Sequence, residues 1–368
     1  MNVSEMLSYA DIKQLSQIAS HYGCECDSYS KHQLIQSILT QMHNRSIFKD
    51  AVEHLDPAEL RLIGSLMHDQ RKTFSLEELS AKAIHSEDAV LKQIKPAHSR
   101  RHIRKLIQRG WLFQSTDRNQ GVRYKVPDDL GAKIDHQLIS RWTAHLVYTD
   151  PPRNYREESD ALAQDIQKYL RNLLEDAPVV LSQTGFMYKP FLTKLLGRMT
   201  VEEALPEKTA WRFGYGKRFK EYPNRFSLIY DFCTYRQWTR ENDGYLELTA
   251  AGEQRIEDIA REELENMFFY WLKLYKAPIF HLRSFVYWFM RLSERWVKLD
   301  GLERIFIPLI KPFYYDPAQN IFKERIKDML VHLGVLAEGK LEDGGTVVRT
   351  TPLGQRFLKQ LGNRQTIG

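Results

Sequence analysis

Ala97-His98-Ser99-Arg100-Arg101-His102-Ile103-Arg104-Lys105-Leu106-Ile107-Gln108-Arg109-Gly110-Trp111-Leu112-Phe113 is the stretch that decides how this chain reads. At about 100° per residue, Ile103, Leu106 and Ile107 share one arc of roughly 100°. Arg100, Arg101, Arg104, Lys105 and Gln108 fill an arc of roughly 140° on the opposite side. The spacing predicts a helix from about residue 97 to Gln108, stopped by Gly110, anchored by one face and presenting four cations on the other. The charge is local. Residues 92–125 hold ten basic side chains against one acid, Asp117, a net +9, so the other 334 residues sum to −3 although the whole chain is +6. Solvated charge runs usually interleave both signs, as Lys323-Glu324-Arg325-Ile326-Lys327-Asp328 does. One-signed clustering on one element is the footprint of a polyanion binder.

Working outward, Asp56-Pro57 opens a helix with the apolar set Leu60, Ile63, Leu66 and Met67, a cap followed by proline in the first turn. Ser75 caps a second short helix over residues 76–84. After Gly110, Trp111-Leu112-Phe113 and Val122-Arg123-Tyr124-Lys125-Val126 alternate like strands, joined by the polar turn 115–121. Three helices followed by a hairpin is the order of a winged-helix domain, expected over residues 55–131. In readers of that type the third helix carries the recognition surface. Arg109, Arg118, Arg123 and Lys125 extend the positive charge toward the hairpin. His98 and His102 stand four apart with no third ligand evident, so no metal site is expected there.

Residues 9–42 give two amphipathic helices, with Ile12, Leu15, Ile18 and Ala19 in one and Leu34, Ile35, Ile38 and Leu39 in the other. Ser30 is the expected cap of the second. Leu15, Ile18, Ala19, Gly23, Lys31, Leu34, Ile35 and Ile38 carry a resemblance to the SAP and Rho-N family of small nucleic-acid-binding modules, assigned here to residues 1–47. The resemblance implies a second nucleic-acid contact, with Lys31 as its candidate cation. Cys24 and Cys26 have no partner pair, so neither zinc nor a disulfide framework is expected, and three cysteines in all fit a reducing compartment.

Past a connecting helix and linker at 132–160, the unit recurs. Asp128-Asp129-Leu130-Gly131, Thr249-Ala250-Ala251-Gly252 and Thr351-Pro352-Leu353-Gly354 each end a strand and begin a helix. The glycines lie 121 and 102 residues apart, too irregular for a solenoid. Two further winged-helix units are therefore expected, at 161–260 and 261–368. The fold class expected is mainly α with small β-hairpins (α+β): an N-terminal helix-loop-helix followed by serial winged-helix domains.

In the second unit, Trp211-Arg212-Phe213-Gly214-Tyr215-Gly216-Lys217-Arg218-Phe219-Lys220 interleaves rings and cations. Such a pattern suits single-stranded nucleic acid, with rings on bases and cations on phosphates. The competing reading, preferred here, makes the rings core anchors of an extended loop around which the cations snorkel. Arg212, Tyr215, Lys217, Arg218 and Lys220 stand as the candidate single-strand contacts. Residues 261–322 hold 16 of the 43 aromatic side chains. Most belong in a core, and the excess points to a docking or structural unit.

The serial arrangement, Thr184-Gly185-x-x-Tyr188-Lys189 and the Thr-x-x-Gly endings resemble the non-motor helicase-associated region of bacterial proteins related to XPB-type superfamily 2 helicases. That resemblance implies a DNA-repair or remodelling setting, and any unwinding would come from a separate helicase partner. No phosphate-binding Gly-x-x-x-x-Gly-Lys-Ser/Thr loop, His-Glu-x-x-His or Gly-x-Ser-x-Gly occurs, so no cofactor is expected and a cryptic metal-dependent nuclease is the residual enzyme class. The apolar runs 267–272 and 285–290 fall far short of the roughly 20 residues of a membrane span. The function expected is that of a non-enzymatic, cytoplasmic and nucleoid-associated DNA-binding accessory or adapter acting in repair, replication or remodelling. Its partners would be duplex or junction DNA, single strands as a further substrate, and a protein partner. The alternatives are a sequence-specific transcription or replication-initiation factor and a protein-interaction scaffold.

Overall fold

The computed structural model describes residues 1–24, 30–87, 96–117, 121–206, 214–257, 259 and 261–362. The chain is mainly helical with small antiparallel sheets, an α+β fold. By contacts it divides into two compact units, where five segments were expected. The first is Met1–Leu146 with Arg283–Leu292 and Leu361–Gly368; the second is Val147–Leu282 with Ser293–Gln360. Among the described residues no helix is long and apolar enough to cross a membrane.

The first unit starts with four short helices, Val3–Tyr9, Ile12–His21, Lys31–His43 and Arg45–Glu53. Each is opened by a side-chain cap, from Asn2, Asp11, Ser30 and Asn44 in turn. Two of them are the expected amphipathic pair, whose Leu15, Ile18, Ala19, Leu34 and Ile38 are buried. Most of the loop between them, 25–29, lies outside the described residues. Residues 1–47 do not stand apart. Lys133, on the helix Asp128–Thr143, donates to the Met42 carbonyl at 2.8 Å and lies 4.2 Å from the Phe48 ring. Arg141 of that helix reaches the Val52 carbonyl.

Three further helices follow. Asp56 and Glu59 form a reciprocal capping box on Pro57–Met67, and Ser75 and Glu78 form another on Leu76–Ser86, so each helix satisfies its first free amides locally. The third is the arginine helix, Pro96–Gln108. Gly110, at φ +65°, turns the chain into the hairpin Phe113–Asp117 and Gly121–Lys125, registered Phe113 to Lys125. Phe74, just before the second helix, bridges to Tyr124 in the second hairpin strand.

This order and this pairing recur in the second unit. Ala161–Glu175, the short strand Val179–Val180, Lys189–Leu196 and Asn224–Tyr235 lead to the hairpin Thr239–Asn242 and Tyr245–Leu248, with Val179 opposite Leu246. Val297–Lys298, Leu299–Phe306 and helical residues 318–332, π-helical over Ile321–Lys327, lead to Leu336–Lys340 and Thr346–Thr350, with Val297 opposite Val348. In each block a single residue or a short strand ahead of the last two helical segments pairs with the second hairpin strand. The expected linker is not free chain. After the helix Asp128–Thr143, Tyr155–Arg156 joins the last sheet against Gly339 and Glu338. Gly339 has no side chain because a Cβ there would sit 2.4 Å from Pro152.

The Thr-x-x-Gly endings have a structural cause. Thr249 Oγ1 accepts from the Gly252 amide and donates to the Gln237 carbonyl; Thr351 Oγ1 does the same with Gly354 and Gly334. A Cβ on Gly252 or Gly354 would stand 2.2 or 2.4 Å from the Trp238 or Val335 carbonyl. Each motif therefore caps a helix and ties its first turn to the chain entering the hairpin.

Candidate nucleic-acid interface

The arginine helix has three faces rather than two. Ile103 and Leu106 are buried, and Arg100, Arg101 and Arg104 are exposed. The third face is His102, Lys105 and Arg109, which at about 100° per residue lie within roughly 60° of one another. All three point at one oxygen of Glu59, itself 1% exposed: Lys105 Nζ at 2.9 Å, Arg109 Nη1 at 3.5 Å and His102 Nδ1 at 3.9 Å. Burial alone would raise the Glu59 pKa; the hydrogen-bonding neighbours His102 and Lys105 and the Arg109 charge outweigh it and bring it down to about 2. His102 bonds Glu87 through Nε2 at 2.8 Å. Its pKa is raised, first by Glu59, against burial, with Glu87 adding to the effect.

The expectation of four outward cations on this helix is thus corrected to three. Lys105 spends its charge on Glu59 because the capping box places that carboxylate beside the helix. Arg109 is likewise drawn inward, lying 5.3 Å over the Trp111 ring while its carbonyl accepts from Tyr22. On the hairpin, Arg123 pairs with Glu78 at 3.5 Å and Lys125 with Asp128 at 2.9 Å. Arg118 lies outside the described residues. Lys31 is exposed at the start of its helix. Among the described residues, Arg100, Arg101, Arg104 and Lys31 make no ion pair.

Asp56, Glu59 and His102 are close enough together to hold a metal ion. Oε1 of Glu59 is already met by the Lys105 ammonium and the Arg109 guanidinium, which supply the carboxylate with positive charge.

The candidate single-strand contacts of the second unit fold inward. Tyr215 is buried against Phe219 and Tyr275, each with ring centroids 4.9 Å away. Arg218 is 8% exposed, paired with Glu241 and lying 5.0 Å over the Phe186 ring. Lys217 pairs with Glu241 at 2.8 Å, and its amide donates to Asp231. Lys220 is exposed, and Arg212 lies outside the described residues. Tyr215 and Arg218 are therefore anchors of the loop, not a surface for bases. Gly185, at φ +78°, leaves room for the Arg218 guanidinium, which a Cβ would meet at 2.4 Å. The Thr-Gly stretch at 184–185 is explained by that packing.

Sequence reasoning missed the charge network inside the second unit. Arg225, 1% exposed, pairs with Asp165 at 2.6 Å and Glu158 at 3.4 Å; Glu158 also meets His332 at 3.1 Å and Arg156. Glu158-x-x-x-x-x-x-Asp165 carries no local signal for a partner about 60 residues on.

Comparison with protein-family models, with curated proteins and with solved structures returned no significant match to this chain.

Proposed function

We propose that the chain is a non-enzymatic DNA-binding accessory protein in which an N-terminal SAP/Rho-N-like helical pair precedes serial winged-helix units. Its first unit grips duplex or junction phosphates through Arg100, Arg101 and Arg104, with Lys31 as a further contact. One observation carries this reading. Three guanidinium groups stand exposed and, among the described residues, free of carboxylates on one face of a helix whose other two faces are anchored. Guanidinium groups so placed match phosphate geometry. The second contact raises effective concentration rather than adding chemistry. The setting is a nucleoid-associated one in repair or remodelling, beside a separate helicase.

Binding to a duplex across a salt series tests it. Replacing Arg100, Arg101 and Arg104 with Ala should weaken binding and lower the slope of log K against log salt by up to about 3. An unchanged slope would remove the arginine helix from the interface.

A further inference from the structure

Phe313-Tyr314-Tyr315-Asp316 in the second unit is a tight turn closed by two backbone hydrogen bonds, Phe313 amide to Asp316 carbonyl at 3.0 Å and the reverse at 2.9 Å. The Tyr314 and Tyr315 side chains are 72% and 75% exposed, yet their base is fixed. Asp316 accepts from Nε of Arg325 at 3.0 Å. Arg325 is itself buried, donates to Asn224 at 2.8 Å, and lies 5.1 and 4.7 Å over the rings of Tyr215 and Phe219. Phe313 packs where Gly214 lacks a side chain, since a Cβ there would stand 2.5 Å from its ring. The ring-and-cation loop at 214–219 is thus the pedestal of this turn. Tyr314 has φ +52°, a left-handed conformation that glycine or asparagine adopts more cheaply than tyrosine. The turn holds the Tyr314 ring edge-on to Phe313, centroids 4.8 Å apart, with most of its surface exposed despite that strain.

We propose that Tyr314 and Tyr315 form a stacking finger for unpaired bases of nucleic acid, an inference that rests on the nucleic-acid reading above. Stacking on an aromatic ring strengthens binding base by base and tolerates any sequence, because every base has a π-face. A turn already fixed at its base loses little conformational freedom when it binds. A stable protein interface instead builds a contiguous apolar centre within about 800 Å² per side. Here the exposed residues that follow, Pro317, Gln319 and Asn320, supply no large apolar side chain.

The full chain is titrated with a blunt duplex and with the same duplex carrying an unpaired oligothymidine tail that contains 2-aminopurine. The tail should tighten wild-type binding about tenfold, roughly 1.4 kcal/mol, and quench the 2-aminopurine. Tyr314→Asn with Tyr315→Ser should lose both effects while keeping blunt-duplex affinity and an undiminished unfolding midpoint. Replacing both tyrosines with Phe should keep the gain, and replacing both with Leu should lose it. Blunt-duplex binding with no gain from the tail would overturn the finger alone. A gain retained by the Leu pair would also overturn it, pointing to an apolar protein contact at this turn. A wild type that binds neither DNA would sink the nucleic-acid reading and the finger with it.

Discussion

The arginine helix and the helix Asn224–Tyr235 occupy the same place in the order of elements, third before a hairpin, with opposite surroundings. The first exposes Arg100, Arg101 and Arg104; the second is buried along Arg225, Phe226, Ser227, Leu228, Ile229, Tyr230, Asp231, Phe232 and Cys233. Charge follows the same division. The first unit has 23 basic and 17 acidic residues, the whole +6 of the chain, and the second has 30 of each. One sequence of elements serves as a charged outer surface in one unit and as an internal beam in the other. The two helices differ in what they present, and not in the arrangement that carries them.

The strongest way to break this comparison is at Arg225. Arg225→Met would leave Asp165, wholly buried, and Glu158 without their cation, and removing one partner of a buried pair costs about 3–5 kcal/mol. Urea unfolding should show that loss. A loss below about 1 kcal/mol would mean that the beam is not held by its charges.

Glu59 sharpens the other side. Its carboxyl titrates lower folded than unfolded, near 2 against 4.5, so its stabilisation is full above about pH 4.5 and lost as pH falls toward 2. Glu59→Gln should cost about 1–3 kcal/mol at pH 7 and flatten stability against pH over that acid window. The DNA salt slope should stay near the wild-type value, because Lys105 and Arg109 are anchors here. A slope that rises by about 2 would show that both cations had been released to phosphate.

Asp231 carries the smallest effect and the opposite sign. Burial raises its pKa from 3.8 to about 6, against the Lys217 amide. The folded chain then holds a proton that the unfolded chain releases, and stability falls as pH rises from about 4 to about 6. Asp231→Asn should remove that slope and add about 1 kcal/mol at pH 8, read from unfolding midpoints across pH. A wild-type midpoint flat through this range would refute the assignment.

Much of the local order was legible. Asp56-Pro57, Ser75, Ser30 and Gly110 announce helix ends through chemistry within a few residues, and the structure starts or stops elements there. The arginine face of residues 100–104 was legible for the same reason. What escaped depends on distant partners. Lys105 counts as outward until Glu59, 46 positions earlier, is seen beside it. For Tyr215 and Arg218 the core-anchor reading is preferred only narrowly over a surface for bases until Tyr275, Glu241 and Arg325 surround them. Asp56, Glu59 and His102 show the reverse error of scale: ligand types gathered in space, with ammonium and guanidinium groups already answering them.

The threading of the first unit sets an order of assembly. Trp288 is fully buried there and donates to Asp135 at 2.7 Å, 153 positions away, while Gly64 clears the space its ring needs. A ribosome must therefore pass Leu292 before this unit can close, although its arginine helix emerged long before. During translation the second unit's early hairpin can form first, so the unit that bears Arg100, Arg101 and Arg104 is completed late although those residues are made early.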